Sequence, residues 1–195
     1  MAADSPADVR DLYDQLDAAE REAQAIVVGL SEQQGSWRPT PGSWSIAECL
    51  DHLATANRVY LHAMREPANR VRARGIQRWR PVRPGWVGRC FVRLLEPPPR
   101  WWSRLNAPRS IRPGAARLVE TVASFAASQA EVREFLRAHA DLDLAGVRFP
   151  NPFVPGIRFS LATGLHVITA HERRHLWQAR RVRRAIEHAD GSVGH

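Results

Sequence analysis

The residues best suited to chemistry in this sequence are histidines. His171 and His175 stand four apart in His171-Glu172-Arg173-Arg174-His175. They lie in a stretch from about Ser160 to Glu187, where Leu161, Leu165, Ile168, Leu176, Ala179, Val182 and Ile186 recur at helical spacing. Residues four apart on a helix share a face, one turn apart. With Leu161 at zero and about 100° per residue, His171 falls near 280° and His175 near 320°, beside the apolar positions. Two imidazoles so placed can chelate one divalent ion, or make ordinary hydrogen bonds as half-buried side chains. The stretch also fits H-E-x-x-H, in which the glutamate of a metallopeptidase is a general base. The longer form of that pattern needs Gly and His further on, where this chain has Gln178 and Arg181.

A chelating pair needs a third ligand, and His52 is the best candidate. It lies about 60° from Cys49 on the wheel of a second amphipathic stretch, at the edge of the apolar stripe. That helix is expected over about Ser45–Met64. Ser45-Ile46-Ala47-Glu48 has the form of a capping box, and Pro67 limits its continuation. The remaining histidines, His62, His139, His166, His188 and His195, are expected to face solvent.

Two further long helices complete the pattern. One spans about Pro6–Leu30, capped by Ser5, with Val9, Leu12, Leu16, Ala19, Ala23, Ile26 and Leu30 inward. The other spans about Ala115–His139, with Leu118, Val119, Val122, Phe125, Ala126, Val132 and Leu136 inward. Residues 140–159 contain Pro150, Pro152, Pro155 and Gly156 and read as loop, with no strand pair. Four long helices without strands imply an all-α four-helix bundle. We expect one domain over residues 1–195, with a core at 6–64 and 115–187, a basic insert at 65–114 and a tail at 188–195.

Here a resemblance adds to the spacing. Trp37-Arg38-Pro39, Pro41-Gly42-Ser43-Trp44-Ser45-Ile46 and Glu48-Cys49-Leu50-Asp51-His52-Leu53 resemble the entry to the second helix of the DinB-like (YfiT-like) family. His171-Glu172-Arg173-Arg174-His175-Leu176-Trp177-Gln178 resembles its closing H-x-x-x-H-x-x-Q motif. The resemblance covers about Pro6–Met64 and Ala115–Glu187, and not the basic segment. It implies a four-helix bundle with a metal held by His52, His171 and His175. It also implies metal-dependent transfer or isomerisation with low-molecular-weight thiols such as bacillithiol and mycothiol, and a homodimer.

Three neutral nitrogen ligands leave a coordination position open, where a divalent ion lowers the pKa of water or stabilises a thiolate. Zinc, nickel, iron and manganese all accept imidazole. A thiol transferase or a hydrolase acting on a small molecule follows, with a non-catalytic metal-binding or stress-response protein as the alternative. Gln178, about one turn beyond His175, is a candidate to hydrogen-bond a ligand imidazole, or a plain core residue. Glu172 is a weak candidate base, with an ion pair to a neighbouring arginine as the favoured reading. Cys49 reads as a buried, inert thiol. Trp44 and Phe153 read as core or loop anchors, or as the rim of a pocket.

All 28 basic residues are arginine, so lysine-dependent chemistry is excluded. The net charge of +8 is concentrated. Arg65–Arg117 holds 14 Arg against Glu66 and Glu96, a balance of +12, while the rest of the chain sums to −4. We expect this insert to be an arginine-rich cover whose tryptophans pack onto the bundle, with a short helix at about Trp86–Glu96 before Pro97-Pro98-Pro99. An anionic membrane, with Trp86, Phe91, Leu94, Leu95, Trp101 and Trp102 at the interface, and nucleic acid are the alternative partners. Met1–Arg10 lacks a basic run followed by an apolar run, and Cys49 and Cys90 form no disulfide framework. A cytoplasmic location is the expectation.

Overall fold

The computed structural model describes residues 5–98, 111–114 and 117–192. Expectations placed on Pro99, Trp101, Trp102, Ala115 and His195 lie outside the described residues. Four long helices, α1 (Ala7–Val27), α3 (Ile46–Ala73), α5 (Leu118–His139) and α6 (Leu161–Ser192), form the bundle. Helix α3 packs against α5 and α6, and α1 packs against the same two. A short α2 (Glu32–Ser36) precedes α3, and α4 (Trp86–Leu95) lies along α6. Among the described residues, no helix is long and apolar enough to cross a membrane.

The expected capping box starts α3: Glu48 N donates to Ser45 Oγ at 3.2 Å, and Ser45 N donates to Glu48 Oε2 at 2.9 Å. Arg38 pairs with the same carboxylate and so ties the entry segment to the helix. Several expected boundaries are corrected. Helix α3 runs through Pro67 to Ala73, because Pro67 and the following Ala68 and Val71 are buried. That burial outweighs the one backbone hydrogen bond that proline forfeits. Ser5 does not cap α1, where Pro6 takes the cap position and no side chain bonds there. Gly29, at φ 74°, ends that helix before Leu30. Helix α5 begins at Leu118, where Glu32 from α2 accepts from Leu118 N and Val119 N at 2.7 and 3.2 Å. A carboxylate at a helix N-terminus satisfies orphan donors and complements the dipole. Val119 is 57% exposed, not inward.

The segment expected as loop contains an antiparallel pair, β1 (Arg148–Pro150) and β2 (Arg158–Ser160), with Phe149 opposite Phe159. Both rings are buried, and the Asn151 side chain accepts from Phe153 N and Val154 N to turn the chain. Two expected solvent-facing histidines are also corrected. His166 bonds the carbonyl of Val82 at 3.0 Å, because the insert covers that face of α6. His139 is buried, its ring against Phe135 and its Nδ1 donating to the Phe135 carbonyl at 2.8 Å.

The insert is anchored yet keeps Trp79 and Trp86 outside. Arg78 pairs with Asp8 at 2.6 Å, Arg80 with Asp143 at 2.6 Å, and Val82 N donates to Asp8. Trp79 and Trp86 are nevertheless 72% and 73% exposed, so they do not pack onto the bundle as expected.

The core is split into two apolar clusters. One holds Leu12, Leu16, Leu61, Met64, Leu136, Phe149 and Leu165. The other holds Ile26, Ile46, Leu50, Leu53, Phe125, Leu176 and Val182. On α3, α5 and α6 the switch falls at the polar residues Asn57, Ser128 and Gln129, and His171, Glu172 and His175, with His52 about one turn before it on α3. A polar layer therefore crosses the bundle.

Candidate metal centre

At the edge of this layer the three histidines converge. His52 comes from the second turn of α3, and His171 and His175 come from adjacent turns of α6. One ring nitrogen from each lies within 4.8 Å of the others, and no other group of three such side chains occurs among the described residues. His52 Nε2 and His171 Nε2 face each other at 3.1 Å. His52 is 1% exposed, buried well inside the stripe edge where its wheel angle put it.

Neighbouring groups set the tautomers. His52 Nδ1 lies 2.7 Å from the carbonyl of Ile111, which can only accept, so Nδ1 carries the proton and Nε2 keeps its lone pair. His175 Nδ1 lies 3.1 Å from Gln178 Oε1, which leaves its Nε2 free in the same way. Gln178 thus touches the imidazole that its spacing suggested. Burial pushes all three imidazoles below their ordinary pKa, His171 down to about 3. For His171 and His175, neighbouring positive groups add to the effect. The rings are neutral at physiological pH.

This donor set fits a divalent cation. Neutral ring nitrogens gathered this closely can hold a divalent cation among them, and burial disfavours the imidazolium charge that would compete with it. Trp44 covers the group, its ring 5.3 Å from His175 in a stacked arrangement and 4.7 Å from His52. Phe153 instead packs on Tyr60, 5.4 Å away.

Glu172 points elsewhere. It is 0% exposed, and Asn57 Nδ2 donates to its Oε1 at 2.8 Å and to Ser128 Oγ at 3.2 Å. Among the described residues the favoured ion pair with a neighbouring arginine does not form, because α6 turns this side chain into the bundle between α3 and α5. Burial pushes its pKa up to about 7, and the Asn57 hydrogen bond offsets only part of that. Gln129 stands close enough to help hold that carboxylate's pKa down, but its side-chain atoms, Glu172 Oε2 and Asn57 Oδ1 make no hydrogen bond of good geometry among the described residues. Buried polar atoms left this way are costly, because desolvation is not repaid by a hydrogen bond. Cys49 is wholly buried with its thiol pushed far up by burial, and it stands outside the group.

Sequence reasoning passed over Asn57, Gln129 and the Ile111 carbonyl. Asn57 shares the helical face of Leu50, Leu53 and Leu61, and a polar residue on that apolar stripe is the signal the sequence offers. The Ile111 carbonyl, a backbone group contributed by the insert, had none.

The DinB superfamily model matches residues 15–179 of this chain. The comparisons with curated proteins and with solved structures found no match. The matched span runs from α1 into α6 and includes all three histidines, and the chain belongs to the DinB superfamily.

Proposed function

We propose that this chain is a divalent-metal-dependent enzyme acting on a small molecule, by thiol transfer or hydrolysis. The observation that carries the reading is the convergence of three neutral imidazoles, two with their outer nitrogens already engaged by Ile111 and Gln178. Such preset rings lose little freedom when they hold an ion, so the site is organised in advance. A bound divalent ion supplies Lewis acidity toward a thiol or a water oxygen. Zinc, nickel, iron or manganese would suit this donor set.

The chain's own residues supply the rest. The Ile111 carbonyl holds the His52 proton on Nδ1, and Gln178 does the same for His175. Trp44 limits water access to the rings from its side. Glu172 presents its carboxylate to the bundle interior, where it supports the polar layer. A thiol for transfer comes from outside, since Cys49 is sealed in the core.

The test is turnover by metal-reconstituted protein in two assays. One follows consumption of a low-molecular-weight thiol with an electrophile, and the other follows ester and amide hydrolysis. Activity that depends on the metal and is abolished in His171→Ala supports the proposal. Protein carrying about one ion per chain but inactive in both assays overturns the enzymatic reading and leaves a metal-binding protein.

A further inference from the structure

Helix α4 carries an outward face with no partner among the described residues. Gly88 is packed so closely on Thr163 of α6 that a Cβ there would collide with it. With Gly88 at zero, Leu95, Phe91 and Val92 fall within about 60° of it and form the inner side. Opposite lie Trp86 at about 160°, Cys90 at about 200°, Leu94 at about 240° and Val87 at about 260°. Arg89 and Arg93 flank Trp86 at about 100° and 140°. Val87 is 58% exposed, and Cys90, Arg89, Arg93 and the preceding Arg83 are exposed too. Helix α4 contains no acidic residue, and none of these three arginines has a salt bridge among the described residues.

The face is held in place rather than loosely displayed. Arg78, Arg80 and Val82 bond Asp8 and Asp143 just ahead of α4, and Arg173 grips Glu96 at its end at 2.5 Å. Among the described residues, four of the seven exposed large apolar ones, Ile76, Trp79, Trp86 and Val87, fall in this one stretch. The acids therefore fix the backbone while Trp79 and Trp86 stay in water.

From this we infer that α4 docks on the surface of an anionic phospholipid bilayer, Trp86, Val87 and Cys90 entering the headgroup boundary and Arg83, Arg89 and Arg93 meeting lipid phosphates. An apolar strip beside a basic strip on one short helix is the pattern of an interfacial helix. Tryptophan favours that boundary, being apolar in body and polar at one edge. Two other occupants fit less well. A second copy paired about a twofold axis would set arginines against arginines. Nucleic acid would meet the arginines but leave Val87, Cys90 and Leu94 without a complement.

The test is co-sedimentation of the full chain with phosphatidylcholine vesicles, with and without phosphatidylglycerol, at low and physiological salt. Binding should require the anionic lipid and weaken with salt. Arg89→Ala with Arg93→Ala should lower it about 25-fold, at about fivefold per arginine. Trp86→Ser should also release the protein, whereas Val119→Ser, an exposed apolar residue elsewhere, should leave binding unchanged. Circular dichroism of each variant checks that the bundle is intact. No binding at low salt, equal binding to neutral vesicles, undiminished binding by the folded α4 variants, or retention by duplex DNA in place of vesicles would each overturn the inference.

Discussion

Replacing Glu172 with glutamine tests the polar layer by arithmetic. The carboxylate is wholly buried, with a folded pKa of about 7 against 4.5 for a free glutamate. A group whose folded pKa is raised contributes stability as the neutral acid, fully present below the unfolded value and lost as pH rises through the folded one. In the metal-free protein the penalty is about 1 kcal/mol at pH 5 and about 3 kcal/mol at pH 8, by linkage between those two pKa values. Glu172→Gln keeps the shape and an acceptor for Asn57 but cannot ionise. Its stability relative to the original protein should therefore rise by about 2.5 kcal/mol from pH 5 to pH 8. Any fixed packing cost of the substitution cancels in that difference, and so do the histidines, which are common to both proteins. Urea unfolding of the two chelated proteins at both pH values measures it. A difference that stays flat, or that falls toward pH 8, would mean that a positive partner holds the carboxylate ionised and that the layer is misread.

Other outcomes follow from the same geometry. The metal-free protein should lose stability as pH falls below about 6.5, because unfolded histidines take up protons that the buried rings refuse; His171 alone accounts for about 2 kcal/mol by pH 5, read by thermal melts in chelator. Gln178→Ala should weaken metal affinity about tenfold or more with helix content unchanged, and titration against a metallochromic indicator would show it. Ser45→Ala removes one half of the α3 cap and should cost about 1 kcal/mol in urea unfolding.

Much of the bundle was legible because its signals are local. The Ser45–Glu48 box, the three-and-four spacing of α1 and α6, and the pair His171 and His175 each lie within a few turns of one helix. His52 was legible as a polar residue bordering an apolar stripe. What escaped depends on distant partners. Pro67 looked like a stop, and only its burial shows that the helix gains by continuing. Glu32 caps a helix more than eighty residues away, so the start of α5 carried no signal of its own. Strands of three residues are too short to display alternation, which hid the Phe149–Phe159 pair. Glu172 falls on the apolar side of its helix by spacing, but its hydrogen-bond partner Asn57 lies on α3. His166 looked exposed until Val82 of the insert covered it.

Metal content tests the central claim most directly. The full chain and its His52→Ala variant are equilibrated with the same buffered zinc or nickel, and bound metal is counted per chain. The three-histidine account expects about one ion for the original protein and a small fraction of that for the variant, since two imidazoles from a single helix hold a divalent ion far less tightly than three. Full occupancy without His52, or none with it, would contradict the account.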